Sequence, residues 1–372
     1  MTTPRQTEPV QIEPVQIEPV QAAPPPAEDT RTLDEKLRDL EEILRPLGRV
    51  MVGYSGGVDS AMLVVAAHRV LGDDVIAVTA DSESYASGEL EKARELLVPW
   101  GIRHVVIRTN ELDNPDYASN PVNRCYYCKS AMLEQMKTKA AELGTDTIIY
   151  GQNADDVGDF RPGADAAREH GARAPLQEAG FTKQDVRDLA RRWGIPAWNR
   201  PAMACLSSRF PYGTPVTAEG LRQVDRAEAY LRGLGYEQLR VRHHTDLARL
   251  ELPGDEVTAL LADGDRRRAI AAVLGDIGYA RVTLDLRGFR SGSMNEVLAA
   301  GVAEAGEMAD RAVQAAAACG LGEASAQRHD QVLCLELTDA AIAELARDEV
   351  RARLVESLEG LGARYGALDL AT

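Results

Sequence analysis

The chain has 372 residues, 45% of them hydrophobic, and its 42 basic and 58 acidic side chains give a net charge of −16. The length predicts two or three domains, and the hydrophobic share excludes a wholly disordered chain because it is large enough to form a core. The acidic balance disfavours a nucleic-acid partner, since phosphate binding depends on Lys and Arg. No apolar run reaches the roughly 18 residues of a membrane span, and the N-terminus lacks a signal-peptide pattern, so we expect a cytoplasmic protein without a membrane partner.

Residues 1–30 are predicted to be a disordered tail. The pentapeptides QTEPV, QIEPV and QIEPV follow one another between Gln6 and Val20, and three prolines follow at 24–26. Proline at every fifth position prevents helix formation, and the segment has too few apolar residues to build a core. We therefore expect a solvated extension of the folded part.

Residues 31–200 alternate short apolar strands with helices. Thr32 and Glu35 form the capping-box pattern of a first helix, and Thr182 with Asp185 repeats this pattern later in the chain. The predicted strands are Arg49–Tyr54, Val75–Ala80, His104–Arg108 and Asp146–Gly151, and the predicted helices include Asp59–Val70, Ser87–Trp100 and Lys129–Leu143. Such alternation predicts βαβ units, and therefore an α/β domain with a parallel sheet and helices on both faces.

A second, smaller α+β domain is predicted over residues 201–300, where the composition changes. Its predicted helix and strands are Ala218–Arg232, Gln238–His244, Leu247–Leu252 and Val282–Leu286. The tripeptides Leu-Glu-Leu and Leu-Asp-Leu, separated by similar helical sequence, occur twice at nearly the same spacing, at 250–252, 284–286, 335–337 and 368–370. We interpret residues 301–372 as a helical linker and a degenerate repeat of the second domain, with a structural role.

A glycine-rich turn follows the first strand and opens the next helix. Its residues are Ser55, Gly56, Gly57, Val58, Asp59 and Ser60. Glycines let backbone N–H groups approach an anion, and the helix N-terminus adds its dipole, so the turn is a candidate phosphate site. It resembles the PP-loop of the ATP pyrophosphatases, which have an adenine nucleotide alpha hydrolase-like fold. That resemblance implies that the turn binds the pyrophosphate of ATP, with Asp59 near Mg²⁺; an ordinary strand–turn–helix is the alternative.

Three of the five cysteines form a candidate metal or sulfur site. Cys125 and Cys128 stand in a C-x-x-C pair before a helix, whose start favours the thiolate form, and Cys205 lies in a loop of small and polar residues. Three thiolates suit a [4Fe–4S] cluster with one open iron. A reduced structural pair, half of a zinc site and a redox dithiol are the alternatives for the C-x-x-C pair. Cys319 and Cys334 are expected to be small buried hydrophobic residues.

Longer segments make the resemblance more specific. They are SGGVDS (55–60), NADDVGDFRPG (153–163), GARAPLQEAGFTKQDVR (171–187), CLSSRFPYGTPVT (205–217), RVRHHTDLARLELP (240–253) and VTLDLRGFRSGSMN (282–295). Over roughly Leu33–Ala300 the chain resembles the LarE family, the ATP-dependent sulfur transferases that help to make the nickel-pincer cofactor of lactate racemase. The resemblance implies that Cys205 handles the sulfur. It either gives up its own sulfur or holds, with Cys125 and Cys128, a [4Fe–4S] cluster that binds a hydrosulfide, and the C-x-x-C pair is typical of the cluster-bearing members.

An arginine-rich stretch is the candidate substrate pocket. Between Arg200 and Arg249 there are 8 Arg, no Lys and 5 acidic residues, although the whole chain is acidic. The planar fork of arginine suits phosphate, and alternate residues of a strand point to one face. We expect the phosphate of a nucleotide substrate to be bound by Ser208, Arg209, Arg240 and Arg242. A solvated, charged sheet face is the alternative.

Four further charged residues are candidates for the site. Arg161 and Lys183 are expected to face the phosphates of ATP; Lys183 would stand in the first turn of a helix, which is an unfavourable place for a structural cation. Glu228 and Glu251 match acidic positions that the LarE family can use for a metal, but we expect each of them to be a solvated carboxylate.

The sequence thus predicts an enzyme that uses ATP, Mg²⁺ and a [4Fe–4S] cluster. It would adenylate the carboxylates of pyridinium-3,5-biscarboxylic acid mononucleotide and convert them to thiocarboxylates with sulfide from the cluster. Its partners would be this small molecule, a sulfide donor and further copies of the chain, with a hexamer as the form that the resemblance suggests. A cluster-dependent tRNA 2-thiolation enzyme is the main alternative, although it needs a basic surface. An idle nucleotide or iron–sulfur sensor and an amidotransferase-type ligase are further alternatives, and the ligase has no use for the cysteines.

Overall fold

The first sheet is parallel and has four strands in the part of the chain that the structure describes. This computed structural model describes residues 29–145, 147–156, 161–200, 204–290, 305–361 and 364–371. Strands β1–β4 are Val50–Gly53, Val75–Asp81, Arg103–Arg108 and Thr147–Tyr150, in the order β3-β2-β1-β4. Helices α1–α8 are Leu33–Leu44, Val58–Leu71, Glu89–Leu97, Pro115–Ala118, Arg124–Leu143, Pro162–Glu169, Pro175–Glu178 and Lys183–Arg192. The predicted α/β class is confirmed.

Helices cover both faces of this sheet because its strands are apolar on both sides. Val50 and Val52 pack with residues of α1, α2 and α8 on one face. Met51, between them, packs with residues of α5 and α6 on the other face. The two capping boxes predicted for the starts of α1 and α8 are both present, and each fixes the point at which its helix begins.

The carboxyl ends of the strands meet at one edge of the sheet. β1 pairs in parallel with both β2 and β4, so the loops that follow these three strands lie side by side. The glycine-rich turn after β1 stands in the middle of this edge and leads directly into α2. In open parallel sheets this is the edge at which ligands bind.

The second sheet is mixed and has six strands among the described residues. Strands β5–β10 are Arg240–His244, Leu247–Glu251, Arg281–Asp285, Ala324–His329, Val332–Leu337 and Tyr365–Asp369. Helices α9–α14 are Ala218–Gly233, Gly254–Ala262, Gly264–Ile277, Ala305–Ala318, Asp339–Leu345 and Asp348–Gly360. The strand order is β5-β6-β7-β10-β9-β8.

This sheet consists of two halves with the same order of elements. In the first half, α9 and the antiparallel hairpin β5–β6 lead through α10 and α11 to β7, which lies parallel to β6. In the second half, α12 and the hairpin β8–β9 lead through α13 and α14 to β10, which lies parallel to β9. The halves join where β7 and β10 pair antiparallel. The boundary placed at residue 300 from the sequence therefore separates two halves of one sheet.

The six-stranded sheet curls until its two outer hairpins touch. Asp246 Oδ1, in the turn after β5, lies 2.7 Å from His329 Nε2 at the end of β8, although β5 and β8 are the edge strands. The helices pack on one face of the sheet, whereas Leu247, Val332 and Tyr365 pack together on the other. The curl therefore encloses the second face, and the charged side chains on it are buried.

Some sequence predictions lie outside the described residues. They concern residues 1–28 of the tail, residues 157–160 of the NADDVGDFRPG segment and residues 291–304, which include the end of the last LarE-like segment and the start of the linker. Among the described helices, none combines the length and the apolar character that a membrane span requires.

Candidate active site

The glycine-rich turn Ser55–Ser60 is closed by its two serines. The backbone N–H of Ser55 donates to Ser60 Oγ at 3.2 Å, and Ser60 Oγ donates to the Gly57 carbonyl at 3.0 Å. Gly56 has a φ of +77°, which would strain a residue with a side chain. The turn therefore holds the N-terminus of α2, a helix of 14 residues, as a site for an anion.

Asp59 connects the turn to two other loops. Asn153 Nδ2 donates to Asp59 Oδ1 at 3.1 Å, and Lys183 Nζ forms an ion pair with Asp59 Oδ2. The backbone N–H of Lys183 donates to Asp155 Oδ2 at 2.8 Å, which fixes the start of α8 beside the loop after β4. The fold thus places Lys183 at the turn Ser55–Ser60, which is called the phosphate turn below.

Arg161 lies on the loop that follows β4. Its guanidinium is 2.7 Å from Asp156 Oδ1, and Asp156 Oδ2 accepts the backbone N–H of Asn153 at 3.1 Å. Since Asn153 also contacts Asp59, Arg161 belongs to the hydrogen-bonded surroundings of the turn. Its side chain is 49% exposed and is therefore accessible from the solvent.

The loop after β2 joins the phosphate turn to Cys205. Tyr85 Oη donates to the Ser55 carbonyl at 2.9 Å. The neighbouring Ser84 carbonyl accepts the backbone N–H of Leu206 at 2.9 Å. The turn and the cysteine loop, which are distant in sequence, therefore belong to one region of the molecule.

The three candidate thiols lie close enough to influence one another. Burial raises the pKa of Cys125, and the nearby Cys205 raises it further. Burial and then the Glu111 carboxylate raise the pKa of Cys128 well above its usual value, and Cys128 Sγ donates to Glu111 Oε1 at 3.5 Å. The surroundings of Cys125 and Cys128 thus oppose the thiolate form that a helix start favours.

The thiols match an iron–sulfur cluster in the chemistry of their donor atoms. In the described part of the chain, however, no group of three or more His, Cys, Asp or Glu side chains is placed to hold a metal ion. The three sulfurs thus share one region without forming a ligand set. Binding of a cluster would have to draw the Cys205 loop and the start of α5 together.

Arg209 is buried directly behind Cys205. It donates through Nε and Nη2 to the two oxygens of Glu228 at 2.8 and 3.0 Å. Its Nη1 donates to the Cys205 carbonyl at 3.0 Å and to Ser208 Oγ at 2.9 Å. A bidentate pair of this kind fixes the plane of the guanidinium, and Arg209 therefore holds the shape of the cysteine loop.

Arg242 reaches the same loop from β5. Its Nη2 donates to Glu251 Oε2 at 2.7 Å, and its Nη1 donates to the Ser208 carbonyl at 3.0 Å. The side chain is 7% exposed. Arg242 therefore does not lie on a solvated sheet face, and that alternative is wrong for this residue.

Glu228 and Glu251 are fully buried, so the expectation of two solvated carboxylates is wrong. Burial alone would raise the pKa of Glu228, but the charge and the hydrogen bonds of Arg209 lower it below its usual value. A buried carboxylate needs a paired cation, and each of these two is paired with two arginines. Both residues therefore belong to the frame that supports the arginines.

Arg240 completes the group of four residues predicted from the sequence. Burial, and then the positive charges of Arg209 and Arg242, lower the pKa of Arg240 to about 10. Its guanidinium lies 5.2 Å from the centroid of the Phe289 ring. The carboxylates of Glu228 and Glu251 act in the opposite direction, so Arg240 lies within reach of both buried ion pairs. The structure thus brings Ser208, Arg209, Arg240 and Arg242 together.

Known proteins resemble most of the chain. No protein-family model matches it. An uncharacterized protein of Synechocystis sp. is 44% identical over 266 residues, which are 72% of this chain and 99% of that protein. The pyridinium-3,5-bisthiocarboxylic acid mononucleotide synthase of Lactiplantibacillus plantarum is 41% identical over 268 residues, which are 72% of this chain and 96% of the synthase. The chain belongs to the LarE family.

A more distant relative agrees with the fold of the first domain. The GMP synthase of Aeropyrum pernix is 28% identical over 218 residues, which are 52% of this chain and 41% of that enzyme. Together with the parallel sheet and the Ser55–Ser60 turn, this similarity supports the PP-loop fold for this member of the LarE family. The LarE relatives are covered almost completely by about three quarters of the chain, so this chain has additional residues that they lack.

Gly151 was not recognised from the sequence as a residue of the site. It follows β4 directly, and a Cβ atom at this position would come within 2.7 Å of the Ser60 backbone nitrogen. The strand end can therefore approach the start of α2 only because residue 151 has no side chain. The signal in the sequence was a glycine as the last residue of a predicted strand, and glycine in a strand often marks a close backbone approach.

Arg124 and Tyr117 were also missed, and both support the Cys205 loop. Arg124 Nη1 donates to the Ser207 carbonyl at 2.9 Å, and Tyr117 Oη lies 2.6 Å from Ser207 Oγ. Both side chains are buried. Arg124 stands directly before Cys125 and therefore links the C-x-x-C helix to the Cys205 loop. The sequence could not reveal this link, because Ser207 is distant from Arg124 in the chain.

Lys129 is a third residue that the sequence reasoning missed. Burial lowers its pKa to about 8, and its Nζ lies 4.8 Å from the centroid of the Tyr150 ring at the end of β4. It thus stands at the carboxyl edge of the parallel sheet, next to Cys128 on α5. Its position directly after the C-x-x-C pair was the available signal in this LarE-family sequence.

Proposed function

We propose that this protein is an ATP-dependent sulfurtransferase that acts on pyridinium-3,5-biscarboxylic acid mononucleotide. It would convert the carboxylates of this substrate to thiocarboxylates, for the nickel-pincer cofactor of lactate racemase. The observation that carries the proposal is the path Ser55–Tyr85–Ser84–Leu206, which joins the phosphate turn to the cysteine loop. It joins the proposed activating site to the proposed sulfur site in a member of the LarE family.

The first step is adenylation at the phosphate turn. A substrate carboxylate oxygen attacks the α phosphorus of ATP, the bond to the β phosphate breaks, and pyrophosphate leaves. The backbone N–H groups at the start of α2, with Lys183 and Arg161, would bind the phosphates and stabilise the charge of the leaving group. Asp59 would hold Mg²⁺, which supplies further positive charge; this requires its ion pair with Lys183 to open towards the phosphates.

The arginine group would bind the phosphate of the mononucleotide. Arg240 and Ser208 are the proposed contacts, because Arg240 lies near the charges of Arg209 and Arg242, and Ser208 Oγ lies 2.9 Å from Arg209 Nη1. Arg209 and Arg242 add positive charge, while Glu228 and Glu251 keep them in place. A phosphate bound there would lie beside the loop of Cys205. Arg209 donates to the Cys205 carbonyl of this loop, and Arg242 donates to its Ser208 carbonyl.

The second step transfers sulfur at the cysteines. Sulfur attacks the carbonyl carbon of the acyl adenylate, the carbon–oxygen bond to AMP breaks, and a thiocarboxylate remains. Cys125, Cys128 and Cys205 are the proposed ligands of a [4Fe–4S] cluster, which would supply a replaceable sulfide from a sulfide donor. In the other route the Cys205 thiolate attacks the same carbon as AMP leaves. Cleavage of its Cβ–Sγ bond with loss of the Cα proton then leaves the sulfur on the product and dehydroalanine at residue 205. A cytoplasmic location, where thiols stay reduced, and a homo-oligomer, a hexamer as the resemblance suggests, are further parts of the proposal.

Anaerobic assays test the proposal. The purified protein receives ATP, Mg²⁺, sulfide and the biscarboxylic mononucleotide, and we expect pyrophosphate release and a thiocarboxylate by mass spectrometry. Cys205→Ala should abolish thiocarboxylate formation but not pyrophosphate release, whereas Cys319→Ala should behave as the wild type. A wild-type protein that releases no pyrophosphate with this substrate would contradict the proposal.

An iron count separates the two sulfur routes. We expect the anaerobic wild type to contain iron and acid-labile sulfide, and Cys125→Ala to lose them, with Cys319→Ala as the matched control. An iron-free wild type in which Cys205 becomes dehydroalanine during turnover would assign the sulfur to Cys205.

A further inference from the structure

The second half of the six-stranded sheet contacts the arginines of the first half. Arg249 on β6 is fully buried; its Nη1 donates to Glu251 Oε1 at 2.9 Å and also pairs with Asp285 on β7. The ring of Tyr365 lies over this guanidinium, with its centroid 3.7 Å from Cζ. Tyr365 is the first residue of β10 and is fully buried as well. A residue of the second half thus covers a buried cation of the first.

Arg249 is connected to the proposed substrate site through one carboxylate. Glu251 accepts from Arg249 at Oε1 and from Arg242 at Oε2. Arg242 donates onward to the Ser208 carbonyl at 3.0 Å, and Ser208 Oγ donates to the Cys205 carbonyl at 2.8 Å. A shift of Arg249 would therefore be passed through Glu251 to Arg242 and to the cysteine loop.

The equivalent contact also exists in the opposite direction. The strand registers make Arg281 of β7 the equivalent of Tyr365 of β10. Arg281 Nη1 lies 3.4 Å from Glu336 and 3.3 Å from Asp369, both in the second half. Tyr365 thus packs on Arg249, which pairs with Glu251 and Asp285 of the first half. In the same way, Arg281 of the first half contacts Glu336 and Asp369 of the second half. The halves are interlocked, and the second one is part of the surroundings of the first one's charges.

We propose that Tyr365 is a positioning residue for the phosphate site of the mononucleotide substrate and acts through Arg249, Glu251 and Arg242 without touching the substrate. An aromatic face attracts a buried guanidinium, which an aliphatic side chain of similar size cannot do. The C-terminal repeat is then a support of the active site. The inference rests on the proposed function, because it takes the arginine group beside Cys205 as the binding site of the substrate phosphate.

Steady-state kinetics with three variants test this role. Tyr365→Leu removes the aromatic face, Tyr365→Phe keeps it, and Leu354→Ala weakens the second half at a buried position on the opposite, helix-covered face. We expect Tyr365→Leu to raise KM for the mononucleotide about fivefold and to leave KM for ATP unchanged, with Tyr365→Phe within about twofold of the wild type. Leu354→Ala should lower Tm and leave both KM values unchanged. An equal rise of KM in Leu354→Ala, or no rise in Tyr365→Leu, overturns the inference.

Hydrogen exchange gives a readout that needs no substrate. The amides of residues 204–210 are followed by mass spectrometry in the same full-length variants. Faster exchange in Tyr365→Leu alone supports the inference, because the cysteine loop then depends on the aromatic contact. Unchanged exchange in Tyr365→Leu, or the same acceleration in Leu354→Ala, overturns it. A wild type that is inactive towards the mononucleotide contradicts only the proposed function, since the exchange result stands by itself.

Discussion

The two halves of the six-stranded sheet share a topology but differ in charge. Their hairpins have equal registers, and each two-residue turn contains a residue with positive φ. These registers make Gln327 and Cys334 in the second half the equivalents of Arg242 and Arg249 in the first. The second half forms the same strands and helices without those arginines. The arginines are therefore not required by the topology, which agrees with the proposal that they serve a ligand site.

The acidic residues at equivalent positions have different surroundings. Glu251 is fully buried between Arg242 and Arg249. Glu336, its equivalent, has a side chain that is 34% exposed and lies near Arg281. Buried charges destabilise a fold unless they are paired, so the first half depends on complete pairing and the second does not. The comparison teaches that charge rather than topology separates the half with the proposed substrate site from the half that is proposed to support it.

Equivalent glutamates give the strongest test of this difference. Glu251→Gln leaves two buried guanidinium groups without their shared carboxylate, so we expect the free energy of unfolding to fall by about 3–5 kcal/mol. Glu336→Gln should lower it by less than about 1 kcal/mol, since the site is partly exposed and Arg281 keeps Asp369. Urea denaturation followed by circular dichroism measures both. Equal losses in the two variants would show that the halves carry their charges in the same way.

Acid should weaken the first half specifically. The ring of His243 packs on Phe210, and its Nδ1 lies 3.2 Å from Tyr279 Oη. Burial lowers the pKa of His243 from 6.5 to about 4, although the charge of Asp246 acts in the opposite direction. The unfolded chain takes up a proton below pH 6.5 and the folded chain only near pH 4. His243 therefore leaves stability unaffected above pH 6.5 and lowers it by about 3 kcal/mol between pH 6.5 and pH 4.

Two variants check this pH dependence by denaturation at several pH values. His243→Gln should reduce the loss of stability between pH 6.5 and pH 4. Gln327→Ala, on the outer hairpin of the second half, removes no titratable group and should keep the wild-type slope. A slope that is unchanged in His243→Gln would mean that other groups cause the acid sensitivity.

Equivalent positions on β5 and β8 test the functional side of the comparison. Arg242→Gln gives the first half the residue of the second, and Glu251 keeps Arg249 as a partner. We expect KM for the mononucleotide to rise about tenfold, because one charge of the phosphate site is lost. Gln327→Ala should leave KM within the error of the assay. If Arg242→Gln had a wild-type KM, the arginine group would not be the phosphate site.

The local features of this chain could be predicted from sequence. The strand around Val50–Val52 and the turn Ser55–Ser60 are encoded in neighbouring residues, as are the two capping boxes. The resemblance added the grouping of Cys205 with the arginine strand, because it drew on whole segments. Such predictions succeed when the residues that decide the structure are adjacent in the chain.

The features that the sequence could not give depend on distant partners. The burial of Glu251 follows from its pairing with Arg242 on the neighbouring strand β5 and with Arg249 on its own strand β6. A carboxylate in a strand is exposed or buried according to what lies against it, and here the curl of the sheet decides. The contact of Tyr365 with Arg249 has no local signal at all, because it depends on how two repeats meet.

The contact between the outer hairpins should have the smallest effect. Asp246 and His329 have side chains that are 53% and 32% exposed, so water screens their interaction. We expect Asp246→Asn to lower the free energy of unfolding by less than about 1 kcal/mol, as for a surface pair. Glu219→Gln, which breaks an exposed pair on α9 with Arg222, is the matched control, and urea denaturation compares them. A much larger loss in Asp246→Asn would mean that closure of the sheet depends on this contact. In that case the second half would hold the buried charges of the first by closing the curl, and the direct contact of Tyr365 with Arg249 would be only one of two ways in which it does so.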